Sequence, residues 1–216
     1  MNRRMERLSG AAVVLAAAVL AMVELVLRFT GGDGLQGNPA AIANPVNIAG
    51  HAVGLVAGSV LLMGLPVVAA LLASRAPVLA VSGFVLLAWS ITVYDVIIHF
   101  ADSAVLPYLV ARNFAMGGHP PPGMFVLTIT AGFAQIIGSG LLGAAILRTG
   151  LAPRVAGGLL IASGLLMLAT LAHLPDLLDS LATFALMGAF VVTGARLIVR
   201  SSAGRPQPAA LNAELA

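Results

Sequence analysis

Cysteine is absent from the 216-residue chain, and so is lysine. Without cysteine there are no disulfides, no thiolate metal ligands and no thiol nucleophile. Without lysine, all 11 cations are arginines. That excludes a Schiff-base lysine and, with it, the usual kind of retinal pigment. Charge of either sign is scarce: 9% of residues are charged, against roughly a quarter in a soluble domain. Too few charges remain to cover a water-facing surface. The catalytic signatures H-E-x-x-H, G-x-S-x-G and Walker A are missing as well. What fills the chain is apolar, 60% of all residues, with a mean hydropathy of +1.04. There is too much to bury for the chain to be disordered, and the class is integral membrane protein.

A helix needs about 20 mainly apolar residues to cross roughly 30 Å of hydrocarbon. Six such runs stand at 9–28, 46–72, 78–100, 124–147, 155–173 and 178–199. Glycine, proline and polar breaks separate them: Gly31-Gly32-Asp33-Gly34, Ser74-Arg75-Ala76-Pro77, the Gly117–Gly123 stretch, Arg148-Thr149-Gly150 and Leu174-Pro175-Asp176. No run alternates polar and apolar residues, which disfavours a barrel. The expected fold is therefore all-α. Residues 1–200 form one bundle of six transmembrane helices, and 201–216 form a short polar tail expected to be disordered. The first run reads as a span rather than a cleaved leader, because no small-x-small site sits cleanly before Glu24 and the apolar stretch resumes to Val26.

Arginine sets the orientation. With the N-terminus inside, Arg3, Arg4, Arg7, Arg75, Arg148, Arg154, Arg196, Arg200 and Arg205 fall on the cytoplasmic side, and Arg28 and Arg112 outside. Both termini are then cytoplasmic. The high isoelectric point, near 10.6, reflects this bias and attraction to anionic lipid rather than nucleic acid.

Under that topology the acids Glu24, Asp33, Asp95, Asp102, Asp176 and Asp179 gather in the outer half or outer loops. So do all four histidines, His51, His99, His119 and His173. The arginine rule does not require this, and the pattern reads as a polar site open to the outer side. Asp95, His99 and Asp102 stand at i, i+4 and i+7 and share one helix face, which Thr92 extends inward. Ionisable groups inside a membrane are functional candidates by default. The three can serve as a satisfied Asp–His pair, as a proton donor and base, or as metal ligands. Glu24 either pairs with Arg28 one turn later or faces the same cavity. Asn44 or Asn47 suits a helix cap, and His51 lies deeper on the second run and should point inward. Thr170 and His173 share a face at the end of the fifth, and Asp176 and Asp179 suit the start of the sixth. Gln135, near the middle of the fourth, needs a partner and would form a cavity floor. The residues from Ala101 to Pro122 read as a long apolar outer loop, either an interfacial linker or a lid. No cofactor is required. His51, His99 and His173 come from three spans and could hold a metal or haem, but they lack close ligand spacing.

Gly50, Gly54 and Gly58 form a small-xxx-small face on the second run. Gly132, Gly140, Gly143, Gly157, Gly158 and Gly164 mark the fourth and fifth. These faces suit close packing within the chain or a homo-oligomer.

The stretch Leu141-Leu142-Gly143-Ala144-Ala145-Ile146-Leu147-Arg148-Thr149-Gly150, continued by Leu151-Ala152-Pro153-Arg154-Val155-Ala156-Gly157-Gly158-Leu159-Leu160, resembles a family of small, uncharacterised, six-helix bacterial membrane proteins. Their turn between the fourth and fifth spans has a similar basic-x-Gly-x-x-Pro-x-x-x-Gly pattern. Arg7-Leu8-Ser9-Gly10 and Asn44-Pro45-Val46-Asn47 resemble the same family. The resemblance implies the six-span bundle and a bacterial inner membrane, and it implies no function.

The polar pattern leads to an expected function: a membrane enzyme acting on a lipophilic, isoprenoid-type substrate by acid–base chemistry, as a cyclase or isomerase does. Asp95, His99, Glu24 and Asp102 would be catalytic. His51, Asn47, Thr92, Gln135 and His173 would line the substrate site. One rival is a proton- or cation-coupled transporter carrying its ion on Asp95 and Glu24. The other is a non-enzymatic accessory subunit that binds a partner helix through Gly50, Gly54 and Gly58.

Overall fold

A computed structural model of the chain describes residues 3–31, 38–112, 122–171 and 177–202, and among them the regular structure is helical throughout. Helix α1 spans Arg3–Thr30, with a short α2 at Pro39–Ile42. Helix α3 spans Pro45–Ala73 and α4 Pro77–Ala111. Helices α5, α6 and α7 span Pro122–Thr149, Arg154–Leu171 and Leu177–Ser202. The six long helices are each long and apolar enough to cross a membrane.

Local chemistry explains the ends. The Asn44 side chain accepts a hydrogen bond from the Val46 N–H at 2.9 Å, and Pro45 follows in the first turn, where its missing N–H costs nothing. Of the two asparagines suited to a cap, Asn44 is the one that caps. Asn38 caps α2 in the same way. Gly31 and Gly150 follow α1 and α5 with φ of 65° and 63°, the left-handed conformation that closes a helix C-terminus with little strain only in glycine.

Each long helix packs on its neighbours in sequence, and α1 packs on α7, so the six close into a ring. The interior is filled by apolar side chains, among them Val13, Ala17, Leu61, Leu65, Leu87, Ile91, Ile146, Met187 and Phe190. The exterior is apolar too: Leu15, Met22, Val56, Met63, Val85, Phe133 and Leu165 are all exposed. Both faces being apolar suits helices surrounded by hydrocarbon, where association depends on close packing rather than on a hydrophobic drive. Three glycine pairs bring backbones together, Gly10 with Gly194, Gly83 with Gly138, and Gly143 with Gly157; an added Cβ would stand 2.7–3.1 Å from the opposing carbonyl oxygen.

Alternating helix directions put Arg3, Arg4, Arg7, Arg75, Arg148, Arg154, Arg196 and Arg200 at one end of the ring, the arginine-rich end. Arg75 donates from Nη1 to the Thr149 carbonyl at 3.0 Å there, tying the α3–α4 turn to the end of α5. Arg205 lies outside the described residues.

Two expectations about boundaries are corrected. The third span does not end near residue 100: α4 continues to Ala111, so the first half of the expected outer loop is helix. The helix gets past Asp102 and Pro107 by widening. Thr92–Ile98 and Ala101–Val105 are π-helical turns, and the Leu106 N–H bonds the Ala101 carbonyl five residues back. Pro107 then sits in the first turn of the α-helical stretch Leu106–Ala111, where no N–H is needed. The second half of the expected loop, with His119, lies outside the described residues. At the other terminus α7 includes Ser201 and Ser202, and the rest of the expected tail is outside the described residues.

Candidate active site

Helices α3 and α4 run antiparallel, and the polar residues sit where they touch. His51 of α3 lies against Asp102 of α4, with Nε2 and Oδ2 3.7 Å apart. A Cβ on Gly54 would fall on the ring of His99. A Cβ on Gly58 would fall 2.6 Å from the Cβ and the carbonyl oxygen of Asp95. Each step of three or four residues inward along α3 is matched by an equal step along α4. The glycine stripe is therefore the seat of the polar face. Glycine at 54 and 58 leaves the room that the His99 ring and the Asp95 backbone occupy. Asp95, His99 and Asp102 do share one face, and that face points at α3.

Asp102 and His51 are both buried, at 6% exposure each, and Asp95 and His99 are partly buried. The His51 and His99 rings meet edge to face, centroids 5.1 Å apart. Their Nδ1 atoms are 3.2 Å apart, a hydrogen bond in which one ring donates and the other accepts. His51 Nε2 faces the Asp102 carboxylate, and the neutral tautomer with its proton on Nε2 leaves the Nδ1 lone pair to accept from the His99 Nδ1–H. Asp102, His51 and His99 thus stand in a row, the two histidines hydrogen-bonded and Asp102 at ion-pair distance from His51. The row leads inward from the end opposite the arginines toward Asp95, one helical turn below His99.

Glu24 approaches from α1. Leu27 packs on Gly50, and Glu24 is one turn inward of Leu27, which sets it near the depth of Gly54 and His99. The Ser180 hydroxyl of α7 donates to Glu24 Oε1 at 2.7 Å, and Arg28 Nε donates to the same Ser180 oxygen. The expected Glu24–Arg28 association is thus bridged by a residue of another helix. Ser180 is not legible as a site residue in the sequence. It lies one position past Asp179, and nothing in its own segment marks it as facing Glu24.

The remaining expected site residues separate. Asn47 is 2% exposed and structural: Nδ2 donates to the Ala41 carbonyl at 3.0 Å, and Oδ1 accepts from the Thr30 hydroxyl. It fastens α2 and the end of α1 to α3. Thr92 donates to the Ala88 carbonyl at 2.7 Å, the usual bond of a helical threonine, and adds nothing to the cluster. Gln135 does not floor the site. It accepts from Ser90 at 3.1 Å and lies 3.4 Å from the Ser163 hydroxyl, in a separate polar knot of α4, α5 and α6. The Asp95 face of α4 is turned to α3, while Ser90 faces α5. Tyr94 also faces α5, donating to the Thr128 carbonyl at 2.9 Å. Asp179 lies in the first turn of α7 as expected. His173 and Asp176 lie outside the described residues.

For metal or haem ligation, His51 and His99 do come together, but no group of three or more suitable ligands occurs among the described residues. The glycine faces are largely used within the chain: Gly50 against Leu27, Gly54 and Gly58 against α4, Gly132 against Leu171, Gly164 against Ser139. Gly140 and Gly158 meet nothing within 4 Å.

No protein-family model matches the chain, and neither does any curated protein or solved structure.

Proposed function

We propose that the protein is an integral membrane enzyme that acts on a lipophilic substrate by acid–base chemistry, of the kind that isomerises or cyclises an alkene chain. One observation carries the reading: His51 stands between Asp102, 3.7 Å away, and His99, to which it is hydrogen-bonded, with Asp95 one helical turn inward of His99 in a largely apolar bundle. Acid–base catalysis needs a proton donor held near the substrate and a route by which it is recharged, and such groups contribute typically 10²- to 10⁴-fold each. In this reading Asp95 is the donor, His99 the group that recharges it, and His51 and Asp102 the positioning residues that orient His99.

The surroundings favour catalysis over transport. Inward of the cluster the ring buries Leu61, Leu65, Leu87, Ile91 and Phe190, and the polar groups buried there, Ser90, Gln135 and Ser163, are bonded to one another. That layout supports a site entered from one end or from the lipid. A coupled transporter would need ionisable groups along the remaining path, and the buried polar groups there are uncharged.

The arginine distribution supports the orientation we propose. The arginine-rich end faces the cytoplasm and carries both termini, and the cluster opens to the outer half of the inner membrane of a bacterium.

The experiment begins with lipid. Lipid extracted from the purified protein is identified by mass spectrometry and returned to the wild-type protein and to Asp95→Asn. Conversion by the wild type and none by a folded Asp95→Asn supports the reading. Equal conversion by both removes Asp95 from the mechanism. Proton movement coupled to substrate passage, without a chemical product, supports the transporter instead.

A further inference from the structure

We propose that the two carboxyl groups nearest the cluster divide the chemistry: Asp95 carries the proton given to the substrate, Glu24 is the base that removes one, and Ser180 is the positioning residue that fixes the division. The inference rests on the acid–base reading above and assigns its second half, the base.

The argument is one of donor direction. A guanidinium has donors and no lone pair, so Arg28 Nε can only donate, and the Ser180 oxygen must accept. Ser180 has a single hydroxyl proton. With the hydroxyl turned to Glu24 Oε1, 2.7 Å away, Glu24 accepts. The Arg28–Ser180–Glu24 chain therefore runs one way and ends on an acceptor oxygen, the arrangement that suits an ionised carboxylate. Ser180 is 2% exposed, so water does not compete for this hydroxyl. Asp95 is placed differently. Among the described residues no side chain or backbone group donates to its carboxyl, and its Cβ rests in the seat left by Gly58. A charged carboxylate is costly in hydrocarbon, and a neutral acid far less so. When two acids sit in environments that favour opposite protonation states, their roles as acid and base follow.

The step then balances. The O–H bond of Asp95 breaks as a C–H bond forms on one alkene carbon. A C–H bond on a neighbouring carbon breaks toward Glu24, and its electron pair becomes the new double bond. The substrate is isomerised with its composition unchanged, and no oxidant or co-reactant is consumed. The turn ends with Asp95 ionised and Glu24 protonated. One proton reaching Asp95 by way of His99 and one leaving Glu24 restore the site.

Infrared spectroscopy of the purified full-length protein in lipid nanodiscs tests this without a substrate, by reading the carbonyl stretch of protonated carboxyl groups at neutral pH. In the wild type we expect a protonated-carboxyl band that is lost in Asp95→Asn and kept in Glu24→Gln. Ser180→Ala should add a second band as Glu24 loses its donor. Ser180→Thr, which keeps the hydroxyl, should leave the spectrum as in the wild type. Helical circular dichroism confirms that each variant is folded. A band lost in Glu24→Gln and kept in Asp95→Asn overturns the assignment but leaves acid–base chemistry standing with the roles exchanged. A band kept in both variants belongs to another carboxyl and overturns it as well. A Ser180→Ala spectrum identical to the wild type removes Ser180 as the positioning residue. No protonated band in the wild type overturns both this inference and the reading on which it rests.

Discussion

Replacing Gly58 by alanine would place a Cβ 2.6 Å from the Cβ and the carbonyl oxygen of Asp95, where ordinary contact begins at 3.4 Å. Backbone lies on both sides, so no rotamer change relieves the clash, and α3 and α4 must part by about 0.8 Å there. Overpacking of this kind costs about 1–3 kcal/mol. Alanine also gains about 1 kcal/mol of helix propensity over glycine, which would hide part of the cost. Gly140→Ala supplies the control, because its Cβ meets nothing within 4 Å and only the propensity gain remains. Reversible unfolding in mixed micelles should therefore find Gly58→Ala less stable than Gly140→Ala by about 1–3 kcal/mol. Gly54→Ala separates stability from function. Its Cβ meets the His99 ring, the far end of a side chain that can turn away. It should lose less stability than Gly58→Ala while breaking the His51–His99 contact and with it the recharging of Asp95. Equal stability of Gly58→Ala and Gly140→Ala would refute the claim that the glycine stripe seats the polar face of α4.

Once a substrate lipid is in hand, His99→Ala should slow turnover by about 10²- to 10⁴-fold, the loss expected of one acid–base group, with helicity unchanged. Gln135→Leu leaves the Ser90 and Ser163 hydroxyls without their shared partner. It should cost roughly 0.6–2 kcal/mol in unfolding experiments, the range of hydrogen bonds between membrane helices, and leave turnover untouched. A reporter fused at Ala216 should be active only in its cytoplasmic form. Activity confined to the outside would reverse the orientation we propose.

The cores of all six spans are legible in the sequence because an apolar run of about 20 residues suits little besides a membrane crossing. The ends are less so. At Asp102 and Pro107 the sequence reads as a break, because an α-helix would suffer there. The chain instead widens into π turns, which composition alone does not reveal. The shared face of Asp95, His99 and Asp102 follows from spacing along one helix and is readable. Which helix that face meets is a matter of ring order, and only the fold supplies His51 as the bridge. Glu24 stands out as an acid in an apolar run. Its partner Ser180 stands 156 positions away on the helix that closes the ring, and a lone serine in a membrane segment is too common to single out. Gln135 needs partners wherever it lies in a span, but a single side chain near mid-membrane does not say which neighbours it will find. The glycines of α3 fit an intramolecular and an intermolecular face equally well, until the bulk of His99 and Asp95 is placed against them.

Acid–base chemistry on a lipid leaves an isotopic trace, and measuring it tests the central claim most directly. The purified protein is incubated with its extracted lipid in deuterium oxide, and the recovered lipid is examined by mass spectrometry for deuterium bound to carbon. The account predicts carbon-bound deuterium with the wild-type protein, since the proton delivered by Asp95 is drawn from solvent through His99, and none with a folded Asp95→Asn. A lipid recovered without carbon-bound deuterium from the wild type, or labelled equally by both proteins, would contradict it.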